Sequence, residues 1–232
     1  MYGRCQAVAL TLLGGLAMST GAQVSFEQET LPSNGARYTL VLPASGEITI
    51  TTPLVVSLHY GGPVSPWYGR GLLETVIEPA LRPLGAMLVA PDCGSPAWSD
   101  CADTVDAVIR HLRQRFGLHE GCVALTGYSK GGIGTWSLAA RWPARFSAAV
   151  VMAARVPPEV DLSAWRIPVR VIHGTGDELF PVAAARSAVD ELRGRGVDAD
   201  LQLLSGAAHY DTLQFTNALA THADWLAERC SR

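Results

Sequence analysis

Ser129 stands in Gly127-Tyr128-Ser129-Lys130-Gly131, a Gly-x-Ser-x-Gly pattern with the apolar run "VAL" just ahead and the small-residue stretch "GIGTW" just behind. A serine hydroxyl is a poor nucleophile at neutral pH, so its use requires a histidine to take the proton and a carboxylate to orient that histidine. Both occur downstream at comparable joints: Asp177 in "HGTGDELFPV", just past an apolar run, and His209 in "SGAAHYDT", between an apolar run and a helical stretch. The order Ser129, Asp177, His209 is that of a nucleophile on a sharp strand-to-helix turn, where flanking glycines let the backbone bend without side-chain collisions. Attack on a carbonyl also needs two donors for the developing oxyanion. The Lys130 N–H, at the positive end of the following helix, is one; the other is expected from the glycine-rich turn "LHYGGP", at Tyr60 or Gly61. The predicted chemistry is acyl transfer through an acyl-enzyme on Ser129.

Each of these residues has competitors. Glu178 neighbours Asp177 and could supply the acid, but Asp177 has the shorter side chain. His59, His111, His119, His173 and His222 compete with His209. His111 and His222 fall inside helical stretches, His119 in a turn, and His59 and His173 at the ends of apolar runs upstream of their candidate partners, positions that suit packing or solvent exposure. The Lys130 side chain reads as solvated, or as a cation that would favour acidic substrates. Trp67, Tyr68 and Trp98 lie in loops on the same edge as Ser129 and are candidates for lining an acyl pocket or for packing.

Positioning such a set requires strands and helices in alternation. "LVVSLH", "AMLVAP", "CVALTG", "SAAVVMAA", "PVRVIHG" and "LQLLSG" are short apolar runs suited to strands buried on both faces, while "RYTLVL" and "EITITT" alternate as antiparallel strands do. Helical stretches lie between them: "LLETVIEPALRPL", "SDCADTVDAVIRHLRQRF", "GIGTWSLAARW", "VAAARSAVDELRGRG" and "DTLQFTNALATHADWLAER". The alternation predicts an α/β fold with a mostly parallel central sheet, helices on both faces and no large lid. At 232 residues, 48% hydrophobic, the chain has material for a single core.

A formal net charge of -3 provides no basic stripe, which argues against nucleic acid or an anionic membrane surface as partner. Residues 1–22 read as a cleavable signal peptide: Arg4, an apolar segment "AVALTLLGGLAM" too short to span a bilayer, and a small-residue cleavage site after Ala22. A buried N-terminal helix is the alternative. With no cysteine after the cleavage site, no lipid anchor is indicated, and residues 23–232 form the single expected domain, secreted or periplasmic. Removal of Cys5 leaves Cys93, Cys101, Cys122 and Cys230, an even number suited to two disulfides in an oxidising compartment. Cys93 follows a strand and Cys101 begins the next helix, both at the C-terminal edge of the sheet. Cys122 begins the strand leading to Ser129, and Cys230 ends the helix running back from His209, so the expected pairs are Cys93 with Cys101 and Cys122 with Cys230. No His/Cys/carboxylate motif for a metal, no phosphate-binding loop and no dinucleotide fingerprint occurs, so no metal or cofactor is expected.

With "LHYGG", "GYSKGGIGTW", "HGTGDELFPV" and "GAAHYDT" in this order, the chain resembles the α/β-hydrolases of the small secreted serine esterase type, similar to feruloyl esterase, polyhydroxyalkanoate depolymerase and dienelactone hydrolase-like proteins. The resemblance covers about residues 37 to 228. It implies Ser129 as nucleophile, Asp177 as acid, His209 as base and Tyr60 and Lys130 as amide donors. Many relatives carry glycine where Tyr60 stands and a neutral residue where Lys130 stands. The substrate implied is a small-molecule or accessible polymer ester. An exopeptidase-like amide hydrolase on the same triad and a binding protein without turnover are the alternatives, and the complete set of three residues argues against the latter.

Overall fold

A computed structural model describes the protein over residues 24–119 and 122–231; the expected signal peptide, residues 1–22, and Cys5 lie outside the described residues. Among the described residues eight strands form one sheet: β1 (Glu27–Thr30), β2 (Arg37–Val41), β3 (Leu54–Leu58), β4 (Met87–Pro91), β5 (Val123–Tyr128), β6 (Ala148–Met152), β7 (Val169–Gly174) and β8 (Ala199–Leu204). Their order is β1-β2-β4-β3-β5-β6-β7-β8. The first two pairings are antiparallel and the rest parallel. The four central strands β3 to β6 are buried along their whole length, as apolar runs covered on both sides must be.

Successive strand residues point to opposite faces and so feed two cores. Leu54, Val56 and Leu58 of β3, with Val123 and Leu125 of β5, join α3 (Ala102–Phe116), α4 (Lys130–Arg141) and α5 (Val182–Gly194). Val55 and Ala124 join the other layer, built from α1 (Arg70–Leu72), a π-helical turn (Leu73–Ile77), α2 (Glu78–Leu81), α6 (Thr212–Ala220) and α7 (Ala223–Cys230). Val105, Val108, Ile109 and Leu112 form the buried stripe of α3. The π-helical turn ends just ahead of Pro79, which has no amide to donate to the Thr75 carbonyl; Thr216 Oγ1 of α6 lies 3.1 Å from that carbonyl and 2.9 Å from the Thr212 carbonyl, which brings α6 onto this segment.

Three local expectations differ from the structure. "EITITT" is not a strand: the Thr49 amide donates to Thr52 Oγ1 at 2.8 Å, the Thr52 amide returns to the Thr49 carbonyl, and Ile50 is exposed. These local bonds replace a ladder. The outer antiparallel partner of β2 is instead the polar edge strand β1, held by Glu29, which accepts from Tyr38 Oη at 2.6 Å and from Arg115 at 2.5 Å. The stretch 211–229 is two helices, because Thr221 Oγ1 and the Thr221 amide both turn back to the Ala218 carbonyl. Disulfides join Cys93 to Cys101 and Cys122 to Cys230, with Cα atoms 5.8 Å and 5.0 Å apart.

Among the described residues the connections at the C-terminal edge of the sheet are short. The longest, residues 153–168, contains only the single 3-10 turn Leu162–Ala164, so no inserted lid domain covers that edge. The two disulfides close loops of very different length, with separations of 8 and 108 residues, and constrain the unfolded chain accordingly, by about 2.5 and about 5 kcal/mol in the entropic model. Replacing Cys122 and Cys230 by alanine is expected to lower the urea midpoint more than replacing Cys93 and Cys101; equal midpoints contradict this ranking.

Candidate active site

The joint between β5 and α4 is a sharp turn with Ser129 at its apex, at φ 55° and ψ -119°. A non-glycine residue there stores about 1–3 kcal/mol of strain, and the surroundings fix it. The Ser129 amide donates to the Met152 carbonyl of β6 at 3.0 Å, and the Ser129 carbonyl accepts from the Ile133 amide. The flanking glycines permit a contact no side chain could enter. A Cβ on Gly131 would lie 1.8 Å from the Leu58 carbonyl oxygen, and one on Gly127 would lie 2.2 Å from the Gly131 carbonyl oxygen.

Asp177 and His209 come from the loops after β7 and β8, strands paired through Gly174 and Leu204. His209 Nε2 lies 2.8 Å from Ser129 Oγ, and His209 Nδ1 lies 2.9 Å from Asp177 Oδ2. The other carboxylate oxygen accepts from the amides of Leu179 at 2.9 Å and Phe180 at 2.8 Å. Burial pushes the Asp177 carboxyl up, but the Phe180 amide, the His209 ring and the Leu179 amide together outweigh it and hold the group below its ordinary value. An ionised Asp177 can only accept, so His209 Nδ1 carries hydrogen and its Nε2 lone pair accepts from the Ser129 hydroxyl. His173 Nε2 donates to the Phe180 carbonyl at 2.9 Å and lies 3.5 Å from Asp177 Oδ2, bracing the same loop.

The backbone of His209 is pinned as well. Its amide donates to Glu178 Oε2 at 3.0 Å, so Glu178 holds the histidine's main chain while Asp177 meets its ring. Its carbonyl accepts from Tyr128 Oη. Burial, followed by the nearby charges of Asp177, Asp211 and Glu178, raises the Tyr128 pKa and keeps it a donor.

Ser129 and His209 open into a cavity of about 520 Å³ lined also by Tyr60, Gly61, Thr75, Tyr128, Tyr210 and Thr212. Trp67, Tyr68 and Trp98, the aromatics expected there, have other places. Trp98 is buried, its indole N–H donating to the His59 carbonyl at 3.1 Å. The Trp67 amide and indole N–H are bound to Asp92 and to the Glu29 carbonyl, and Tyr68 Oη donates to the Gly61 carbonyl at 3.2 Å. Each is committed to bracing the loops rather than facing the cleft. The aromatic lining comes from Tyr60, Tyr128 and Tyr210, the last two adjacent in sequence to Ser129 and His209, which was the available signal. The Lys130 side chain is half-buried and turned to the loop after β4: Nζ donates to the Ser95 carbonyl at 2.5 Å, and burial lowers its pKa. Gly61, which lines the cleft, lies against Lys130, a Cβ on Gly61 falling 3.8 Å from Lys130 Cβ. Among the described residues no group of His, Cys, Asp and Glu is arranged to hold a metal ion.

Comparison with known proteins gives the family and the fold. The sequence pattern of the dienelactone hydrolase family matches residues 87–224. The chain belongs to the dienelactone hydrolase family. Probable feruloyl esterase C of Aspergillus terreus is 28% identical over 191 residues, covering 73% of this chain and 68% of that protein. Probable feruloyl esterase C of Aspergillus clavatus is 26% identical over 175 residues, covering 69% and 61%. A thermostable esterase of known structure superposes with a TM-score of 0.72 at 22% identity over 88% of this chain and 62% of that one. The chain therefore spans about two thirds of the length of these relatives, and the structural likeness is one of fold, the α/β-hydrolase fold.

Because the folded state holds Asp177 ionised more firmly than the unfolded chain does, the unfolded state binds more protons in acid and stability rises with pH. This contribution is complete above the ordinary carboxylate pKa of about 3.9 and is lost as pH falls through the depressed folded value. The stability difference between the wild type and Asp177→Asn is expected to shrink from about pH 5 to pH 3. A difference that stays constant over that range contradicts a depressed Asp177.

Proposed function

We propose that the protein is an exported serine hydrolase that cleaves carboxylic esters through an acyl-enzyme on Ser129, and the observation that carries this is the hydrogen-bonded chain Ser129–His209–Asp177 opening onto a cleft. His209 Nε2 takes the Ser129 proton as Oγ attacks the ester carbonyl carbon. The oxyanion is held by the Lys130 N–H, which lies in the first turn of α4 where amides have no intrahelical acceptor, and by an amide of the Tyr60–Gly61 turn. Collapse of the tetrahedral adduct breaks the bond to the leaving alkoxide, which receives the proton from His209. Water, deprotonated by the same nitrogen, then cleaves the acyl-enzyme and returns the proton to Ser129. Asp177, kept anionic, stabilises the imidazolium formed at each step.

An ester is the favoured substrate because its alkoxide leaves more readily than an amine. The feruloyl esterase relatives support an aromatic acyl group, which the tyrosine lining suits. Export is supported by the leader-like residues 1–22 and by the two disulfides, bonds that persist in oxidising compartments; the mature domain then begins at residue 23.

A fluorophosphonate is expected to label the wild-type protein stoichiometrically at Ser129, and Ser129→Ala to lose both labelling and hydrolysis of nitrophenyl esters; hydrolysis persisting in that variant contradicts the assignment. Asp177→Asn is expected to lower kcat by about 10³-fold or more, and Glu178→Gln far less, since Glu178 meets the His209 amide and Asp177 its ring. The reverse ranking moves the acid to Glu178. Faster turnover of aminoacyl amides than of any nitrophenyl ester favours the peptidase reading.

A further inference from the structure

The loop closed by the Cys93–Cys101 disulfide touches both sides of the oxyanion hole. On one side is His59, fully buried at the end of β3. Its Nε2 accepts from the Cys93 amide at 3.0 Å, which places the ring hydrogen on Nδ1, and Nδ1 donates to the Tyr60 carbonyl at 2.8 Å. Burial lowers the His59 pKa, consistent with a neutral ring. The Tyr60–Gly61 peptide is trans, so its N–H points opposite to the carbonyl that His59 holds. The buried imidazole thus turns the Gly61 amide outward, and Gly61 lines the cleft beside Ser129.

On the other side is Lys130, whose amide is the first donor. Its stem runs past Gly61 and its Nζ ends on the Ser95 carbonyl, inside the disulfide loop. Trp98 of the same loop lies between the two. Its indole N–H bonds the His59 carbonyl, its ring sits 4.8 Å from the His59 ring, and its Cβ would be 2.4 Å from a Cβ on Gly134 of α4. Cys93, Ser95 and Trp98 therefore hold His59, Lys130 and α4 at once, and the disulfide closes the segment that carries all three.

We propose that the disulfide-closed loop 93–101, acting through His59 and Lys130, is the positioning device of the oxyanion hole, and that it selects Gly61 over Tyr60 as the second amide donor. This rests on the hydrolytic reading above and assigns that site its alignment. His59, Ser95 and Trp98 are positioning residues, since none touches the reacting atoms. The second disulfide, Cys122–Cys230, serves as the internal control. It joins the start of the strand before Ser129 to the end of α7, and neither cysteine lines the cleft or bonds a residue that does.

The test uses the folded mature chain in three forms: wild type, Cys93→Ala/Cys101→Ala and Cys122→Ala/Cys230→Ala. Nitrophenyl acetate is the substrate, and a trifluoromethyl ketone that forms a hemiketal oxyanion on the serine is the transition-state probe. Removal of one oxyanion donor costs about 10²–10³-fold, so a misaligned pair is expected to lower kcat by about 10- to 100-fold in Cys93→Ala/Cys101→Ala with KM nearly unchanged. Affinity for the ketone falls by the same factor. Cys122→Ala/Cys230→Ala is expected to keep its kcat per folded molecule while its urea midpoint drops further. Trp98→Phe and Lys130→Met, made with the bridge intact, give the same kcat-specific loss in smaller measure and serve if the bridge variant does not fold. An unchanged kcat in the bridge variant, or in both of these substitutions, overturns the proposal. So does a loss that merely tracks the unfolded fraction in both double variants. A wild type that neither turns over esters nor binds the ketone overturns the hydrolytic reading, and with it this proposal; an active wild type with an indifferent loop overturns this proposal alone.

Discussion

The contact between the start of α4 and the end of β3 is the constraint on which the rest of the site depends. Only a residue without a side chain can bring the Gly131 Cα against the Leu58 carbonyl, and that approach forces the chain through the strained Ser129 conformation. With β5 in the middle of the sheet and α4 pressed on its neighbour, Ser129 Oγ is presented at the sheet's edge, where the loops after β7 and β8 can reach it. A looser junction would relax Ser129 into an ordinary turn and leave His209 Nε2 without its partner at 2.8 Å.

The remaining parts are secured by a different device. Asp177 and His209 sit on loops, and loops are mobile unless their polar groups are tied down. Here nearly every such group near the reacting atoms is used. Two amides and two imidazoles surround Asp177, while Glu178 and Tyr128 fix the His209 main chain. The result is a base whose tautomer follows from its neighbours. Rigid glycine packing sets the nucleophile, and a dense hydrogen-bond network sets the acid and base.

Much of this was legible in the sequence, for physical reasons that also explain what was not. Strands buried on both faces announce themselves as apolar runs, so β3 to β7 could be placed to within a residue or two. Strand β1 could not, because "EQET" is polar and is held by Glu29 contacts with Tyr38 and with Arg115, 86 residues away. "EITITT" has the alternation of a strand but pairs with none, and its threonines satisfy the backbone locally. The order Ser129, Asp177, His209 marked residues that the structure brings into contact. Side-chain direction was beyond reach: Trp67, Tyr68 and Trp98 were placed on the correct edge of the sheet, but each turns to brace a loop, and the side of a loop an aromatic faces is decided by partners distant in sequence, such as His59 for Trp98.

The central claim is that Ser129 carries the acyl group between two half-reactions. Rapid mixing of the enzyme with excess nitrophenyl ester, followed by acid quench and mass analysis of the peptide containing Ser129, tests it directly. The account predicts a burst of nitrophenol approaching one equivalent per active site and an acyl mass on Ser129, neither present in Ser129→Ala. Linear release from time zero in a wild type whose steady state is limited by hydrolysis of the acyl group, with no acylated serine, or an acyl mass on another residue, would contradict it.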